Sequence, residues 1–148
     1  MMERIIWNTE NHQAYRSIID ALEPVVDPSI HHAVSEAAAD VTNMIGATAI
    51  VAFTSRGTTA YRIARKRPEV QILSATTDIA IARRLALLWG AHSVNTEHMI
   101  SSYDEMVEDS RQLAIADGFA KSGDRIVVIA GVPFGTPGST NNLRVITV

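Results

Sequence analysis

Two short apolar runs set the limits on how this chain can fold. TAIVAF (Thr48–Phe53) and RIVVIA (Arg125–Ala130) are near-continuous in aliphatic residues. Neither alternates polar with apolar, so each is fit for a strand covered on both faces. A third run, Val70–Ala75, and a short one near Ala91–Val94 lie between them, and segments of helical period separate all four. Strands that alternate with helices imply a mostly parallel sheet with helices on both faces. The last apolar run, Leu143–Val148, follows Arg125–Ala130 without a helix between, so it is expected to be antiparallel to its neighbour.

The helices read as follows. Ser29–Gly46 keeps a 3.6-residue period through Ile30, Ala33, Val34, Ala37, Ala38, Val41 and Ile45, and Gly46 closes it as a C′ residue. Further helices are expected over 57–67, 77–89 and 102–119, the last with a stripe of Tyr103, Met106, Val107, Ser110, Leu113 and Ala114. Met2–Leu22 reads as one helix that stops before Pro24. Glu23–Pro28, with two prolines, is the best linker candidate.

Two loops carry candidate chemistry. Arg125–Ala130 delivers the chain into GVPFGTPGST, where three glycines and two prolines fall within eight residues. Such a loop offers backbone N–H groups to a phosphate, though on the motif alone an ordinary long turn is the favoured reading. Thr48–Phe53 runs straight into TSRGTTAYRIARKR. A strand, a glycine-containing turn and a helix aim the helix N-terminal N–H groups and dipole at an anion. Thr54, Ser55, Thr58 and Thr59 add hydroxyls, and Arg56 adds a charge that can fork onto a phosphate. The plain alternative is a helix start capped by Ser55 or Thr58. The turn is neither a Walker loop nor GxGxxG.

At these residues the chain resembles the C-terminal domain of pyruvate kinase. The matching blocks are AFTSRGTTAYRIARKRPEVQILSATTD, RRLALLWGAHSV and KSGDRIVVIAGVPFGTPGSTNNLRV, with MMERIIWNTE at the start. They cover the chain from about Met2 to Val148 in the family's order. MERIIWNTE looks like the last barrel-side helix, which divides the chain into residues 1–23 and a domain over 24–148. The resemblance implies a three-layer α/β/α fold with a mixed five-stranded sheet of order 3-2-1-4-5. It also implies a C-terminal fragment or a stand-alone copy, inactive alone, because the family's phosphoryl transfer, magnesium and potassium belong to a barrel domain. The domain is implied to pack against partner subunits as a homo-oligomer. It is further implied to bind a phosphorylated effector at Thr54, Ser55, Arg56, Gly57, Thr58 and Thr59. Gly135, Thr136, Pro137, Gly138 and Ser139 would close over that effector.

The chain departs from the fructose-bisphosphate-regulated pattern. Ser55 stands where those members have lysine, and EHMISSYDEM lacks their tryptophan and arginine. A sugar monophosphate or a nucleoside monophosphate is the expected effector. A stand-alone phosphate-ester-binding protein and a purely structural assembly domain are the alternatives.

Composition narrows the remaining classes. A net charge of −3 argues against a general nucleic-acid binder. No cysteine is present, which excludes disulfides and thiolate sites and fits a reducing cytoplasm, the expected location. Glu3, Arg4 and Glu10 leave no apolar signal-peptide region, and IGATAIVAF is too short to span a bilayer. The five histidines show no metal-ligand spacing, so no metal site is expected. Arg62, Arg65, Lys66 and Arg67 read as cations at a helix C-terminus. Asp104, Glu105, Glu108 and Asp109 read as dipole partners and a solvated face. Ser55 has no neighbouring base, and no catalytic constellation emerges.

Overall fold

The computed structural model describes residues 1–22, 27–136 and 138–148. Most of the linker expected at Glu23–Pro28, the domain boundary placed at residue 24, and Pro137 lie outside these residues.

The five strands are β1 (Ala49–Phe53), β2 (Gln71–Thr76), β3 (Ala91–Asn95), β4 (Arg125–Gly131) and β5 (Thr140–Thr147). Their order in the single sheet is β3-β2-β1-β4-β5. β1 is parallel to β2 and β4, β2 is parallel to β3, and β4 and β5 are antiparallel. The fold expected from the sequence is the fold observed.

Side-chain alternation along β1 and β4 feeds two separate cores. Ile50, Ala52, Val127 and Ile129 pack on one face under α3 (Ile30–Ile45), α4 (Thr58–Arg65) and α5 (Ile79–Leu85). Ala49, Val51, Ile126 and Val128 pack on the other face under α6 (Tyr103–Ala116), against Met106 and Ala114. Full burial of a side chain such as Ile63 or Ile129 contributes about 1.5–3 kcal/mol. α3 presents small residues to the sheet side, with Ser35, Ala38, Ala39 and Thr42 buried. The Ser35 and Thr42 hydroxyls donate back to the carbonyls of His31 and Ala38, at 2.6 Å each, so neither buried oxygen is orphaned. Gly46 ends α3 in the left-handed conformation.

The structure differs from the sequence reading at the N-terminus. Met2–Leu22 is not one helix but two, α1 (Met2–Glu10) and α2 (Gln13–Asp20). The break has a local cause. Asn11 Nδ2 donates to the Trp7 carbonyl at 2.8 Å, and His12 turns extended so that its Nδ1 accepts the Ala14 N–H at 3.2 Å. Each helix is thereby closed by its own cap. The Arg67 guanidinium holds the pair against the domain. It hydrogen-bonds the Tyr15 hydroxyl and lies 5.2 Å from the centre of the Trp89 ring. Arg16 donates to the Arg67 carbonyl, and the Trp89 indole N–H donates to Glu10.

Arg67 has φ 46°, so glycine relieves its backbone while removing the guanidinium. Arg67→Gly is expected to free α1 and α2 without melting the core. Cleavage within residues 1–22 in limited proteolysis should rise roughly 2- to 30-fold, matching a lost cation–π contact of about 0.5–2 kcal/mol. Unchanged cleavage would show that other contacts hold the pair.

Candidate functional site

The carboxyl ends of β1 and β4 open on one cleft. The turn after β1, the loop between β4 and β5, and the segment from Thr96 to Ile100 wall it. β2 lies on one side of β1 and β4 on the other, so the winding reverses here, at the topological switch point where open α/β sheets hold ligands. The cleft encloses about 590 Å³ out to its open mouth, but only about 60 Å³ of that can take the centre of a water molecule. That room fits a phosphate group. A sugar attached to it has to project through the mouth or displace a wall.

The turn after β1 is built by local hydrogen bonds. The Thr54 N–H donates to the Ala75 carbonyl of β2, and Thr54 Oγ1 accepts the Gly57 N–H, both at 2.9 Å. Gly57 takes φ 81°, and a Cβ there would lie 3.1 Å from Leu85 Cδ2, so glycine alone fits without strain. Gly57 is also the N-cap of α4, and it offers no side-chain acceptor. By contrast, His12, Ser29, Asp78 and Ser102 cap α2, α3, α5 and α6 with side-chain hydrogen bonds. Capping by Ser55 or Thr58, the plain reading of this turn, is therefore not what the structure has. Among the described residues no side chain accepts from the first N–H groups of α4, which lie at the edge of the cleft that Ser55, Thr58 and Thr59 line.

The opposite wall closes tightly over the end of β4. A Cβ on Gly131 would lie 2.2 Å from Ser139 Oγ and 3.0 Å from the Ser139 carbonyl carbon. Ser139 Oγ donates to the Thr136 carbonyl at 2.7 Å. β5 begins at Thr140, three residues before the expected Leu143, because the β4–β5 register shifts at Ala130/Gly131. Asn141 falls in that shift. Its side-chain amide accepts the Val132 N–H at 2.9 Å and donates to the Val132 carbonyl at 2.6 Å, replacing a strand pair. Nothing but the asparagine pair itself marked this brace in the sequence. Thr59 and Thr140 share a 2.7 Å hydrogen bond that ties the two walls together at the base.

Of the residues singled out by sequence, Thr54, Ser55, Thr58, Thr59, Gly135, Thr136, Gly138 and Ser139 line this cleft. Arg56 does not. It is exposed and lines a separate depression behind the turn, with Tyr61, Arg84 and Leu88, and Gly57 faces that side as well. No lysine or arginine lies among the described residues that line the cleft.

A second constellation was not read from the sequence. Glu105 and Asp109 stand one turn apart on α6, and His98 reaches them from the preceding segment. His98 Nε2 lies 2.9 Å from Glu105 Oε1 and 3.9 Å from Asp109 Oδ2. The Ser101 hydroxyl and N–H both donate to Glu105 Oε2 and hold that carboxyl below its ordinary range. Partial burial raises the Asp109 carboxyl instead, against the pull of His98. The E-x-x-x-D spacing was the available signal, since residues four apart share a helix face.

Comparison with known proteins agrees with the fold. Residues 32–146 match the family model described as the pyruvate kinase alpha/beta domain. A pyruvate kinase of Agrobacterium vitis is 47% identical over 145 residues, covering 98% of this chain and 30% of that protein. A second from the same organism is 43% identical over 148 residues. A pyruvate kinase of Methylorubrum extorquens is 35% identical over 144 residues. The chain spans 30% of the length of each of these relatives. No helix among the described residues is long and apolar enough to cross a membrane.

Proposed function

The chain belongs to the pyruvate kinase family through its C-terminal α/β domain, and from that premise we propose that it is a regulatory and subunit-assembly domain whose cleft takes a phosphorylated effector. The observation that carries this reading is the uncapped start of α4 beside a glycine-rich wall. Unpaired N–H groups and the positive end of the helix dipole favour an anion there. Ser55 and Thr58 supply hydroxyl donors. The Thr54 and Thr59 hydroxyls are already engaged within the fold, so their part is to hold the walls in place.

The absence of lysine and arginine from the described lining favours a monophosphate of a sugar or nucleoside over a bisphosphate. Arg56, outside the cleft, contributes only long-range attraction. The narrow interior has to widen to admit more than a phosphate group, and in this reading the wall of Gly135, Thr136, Gly138 and Ser139 is the one that yields. An effector acts by binding one quaternary state more tightly than another. β5 lies at the sheet edge, paired with β4 on one side, and offers its outer edge to a second copy. Phosphoryl transfer, with its magnesium and potassium, belongs in this reading to a barrel that the described residues do not contain.

Calorimetric titration with AMP, ribose 5-phosphate and glucose 6-phosphate tests the proposal. Saturable binding of at least one, competed by inorganic phosphate, is the expected result. No binding of any of them at millimolar concentration would leave the turn as a self-bonded structural corner. The Thr54–Gly57 and Thr59–Thr140 hydrogen bonds favour that second reading, an assembly domain without an effector.

A further inference from the structure

We propose that His98, Glu105 and Asp109 form a binding site for a divalent transition-metal ion of the zinc or manganese kind, at the rim of the cleft. The proposal is independent of the effector reading. Three donor atoms of the right chemistry converge from two elements, all within 4.8 Å of one another. Ligands on a zinc or manganese ion, each about 2.0–2.2 Å from the metal, stand roughly 3.0–3.4 Å apart in tetrahedral or octahedral geometry. The His98–Glu105 separation of 2.9 Å and the His98–Asp109 separation of 3.9 Å bracket that range. His98 is 64% exposed, so its ring is free to adjust and to be reached from solvent.

The surroundings favour a cation. Glu105 is held in place through its other oxygen by Ser101, which leaves Oε1 for a metal. Among the described residues Asp109 has no lysine or arginine partner, and Glu105 and Glu108 add negative field beside it. Two carboxylates and a neutral imidazole carry a charge of −2, which a divalent ion neutralises. One nitrogen and two oxygen ligands suit zinc and manganese better than a soft thiophilic ion. Three protein ligands also leave coordination positions open to water. His98 lines the cleft as well, so a bound ion would place positive charge at its rim, where the described lining has no lysine or arginine.

The test is titration of the chelator-treated chain with zinc chloride in a calorimeter, alongside His98→Ala, Asp109→Asn and His92→Ala. His92 pairs with Asp117 and serves as the control histidine. One zinc site is expected in the parent chain and in His92→Ala. Each ligand variant should weaken it at least as much as the roughly 10–100-fold that loss of an outer-shell partner costs. With manganese, paramagnetic broadening of amide signals should centre on residues 96–110. Unchanged zinc affinity in folded His98→Ala and Asp109→Asn, broadening centred elsewhere, or no binding of either ion at millimolar concentration would overturn the proposal.

Discussion

Thr58→Asp is expected to abolish anion binding while leaving the fold as stable as before, or slightly more so. Thr58 is the first residue of α4 and lies on the ridge between the cleft and the depression that holds Arg56. A carboxylate there meets the positive end of the helix dipole, worth about 0.3–1 kcal/mol to the fold. The same carboxylate occupies the ground a phosphate would take. Like charges about 4 Å apart repel by roughly 4 kcal/mol at an effective dielectric near 20. Effector affinity should therefore fall about 100-fold or more, while the melting temperature rises by roughly 1–4 °C. Thr58→Ser should keep both properties. Calorimetric titration and thermal melting of the three proteins read the two effects separately. An unchanged affinity in Thr58→Asp would place the anion away from the start of α4.

Gly131→Ala is expected to destabilise the domain by about 1–3 kcal/mol, the usual range for overpacking. The new Cβ would meet Ser139 Oγ at 2.2 Å and the Ser139 backbone at 3.0 Å and 3.2 Å. Removing the hydroxyl in Ser139→Gly leaves the backbone clash, so the double variant should recover part of the loss but not all. That non-additivity is the signature of direct contact. It is measured by denaturant unfolding of the four proteins in the cycle. A change within about 0.5 kcal/mol for Gly131→Ala would mean that the 135–139 segment moves aside at no cost.

Arg56 lies where reading along the chain alone did not place it. Its place in TSRGTT, beside four hydroxyl residues, invited a fork onto a phosphate. In the structure Arg56 is exposed and lines the depression behind the turn rather than the cleft, while Gly57 takes φ 81° with Leu85 of α5 beside it. The Thr59–Thr140 bond, between residues 81 apart, was likewise beyond local reasoning. So was the brace at Asn141, which depends on a register shift between two strands.

By itself the sequence determined which segments are strands and which are helices, and the resemblance it carries implied the order of the strands in the sheet. Continuous apolar runs require strands covered on both faces, a 3.6-residue period requires helices with one buried side, and glycine marks the turns that follow β1 and β4. Those properties are local, and each is encoded within a dozen residues. The tertiary structure alone decided which side chains meet. It split the first helix at Asn11, turned Arg56 out of the cleft, and brought His98 onto the Glu105–Asp109 face of α6. Such meetings depend on how separate elements close on one another, and that closure is set by the packing of the whole core rather than by any single segment.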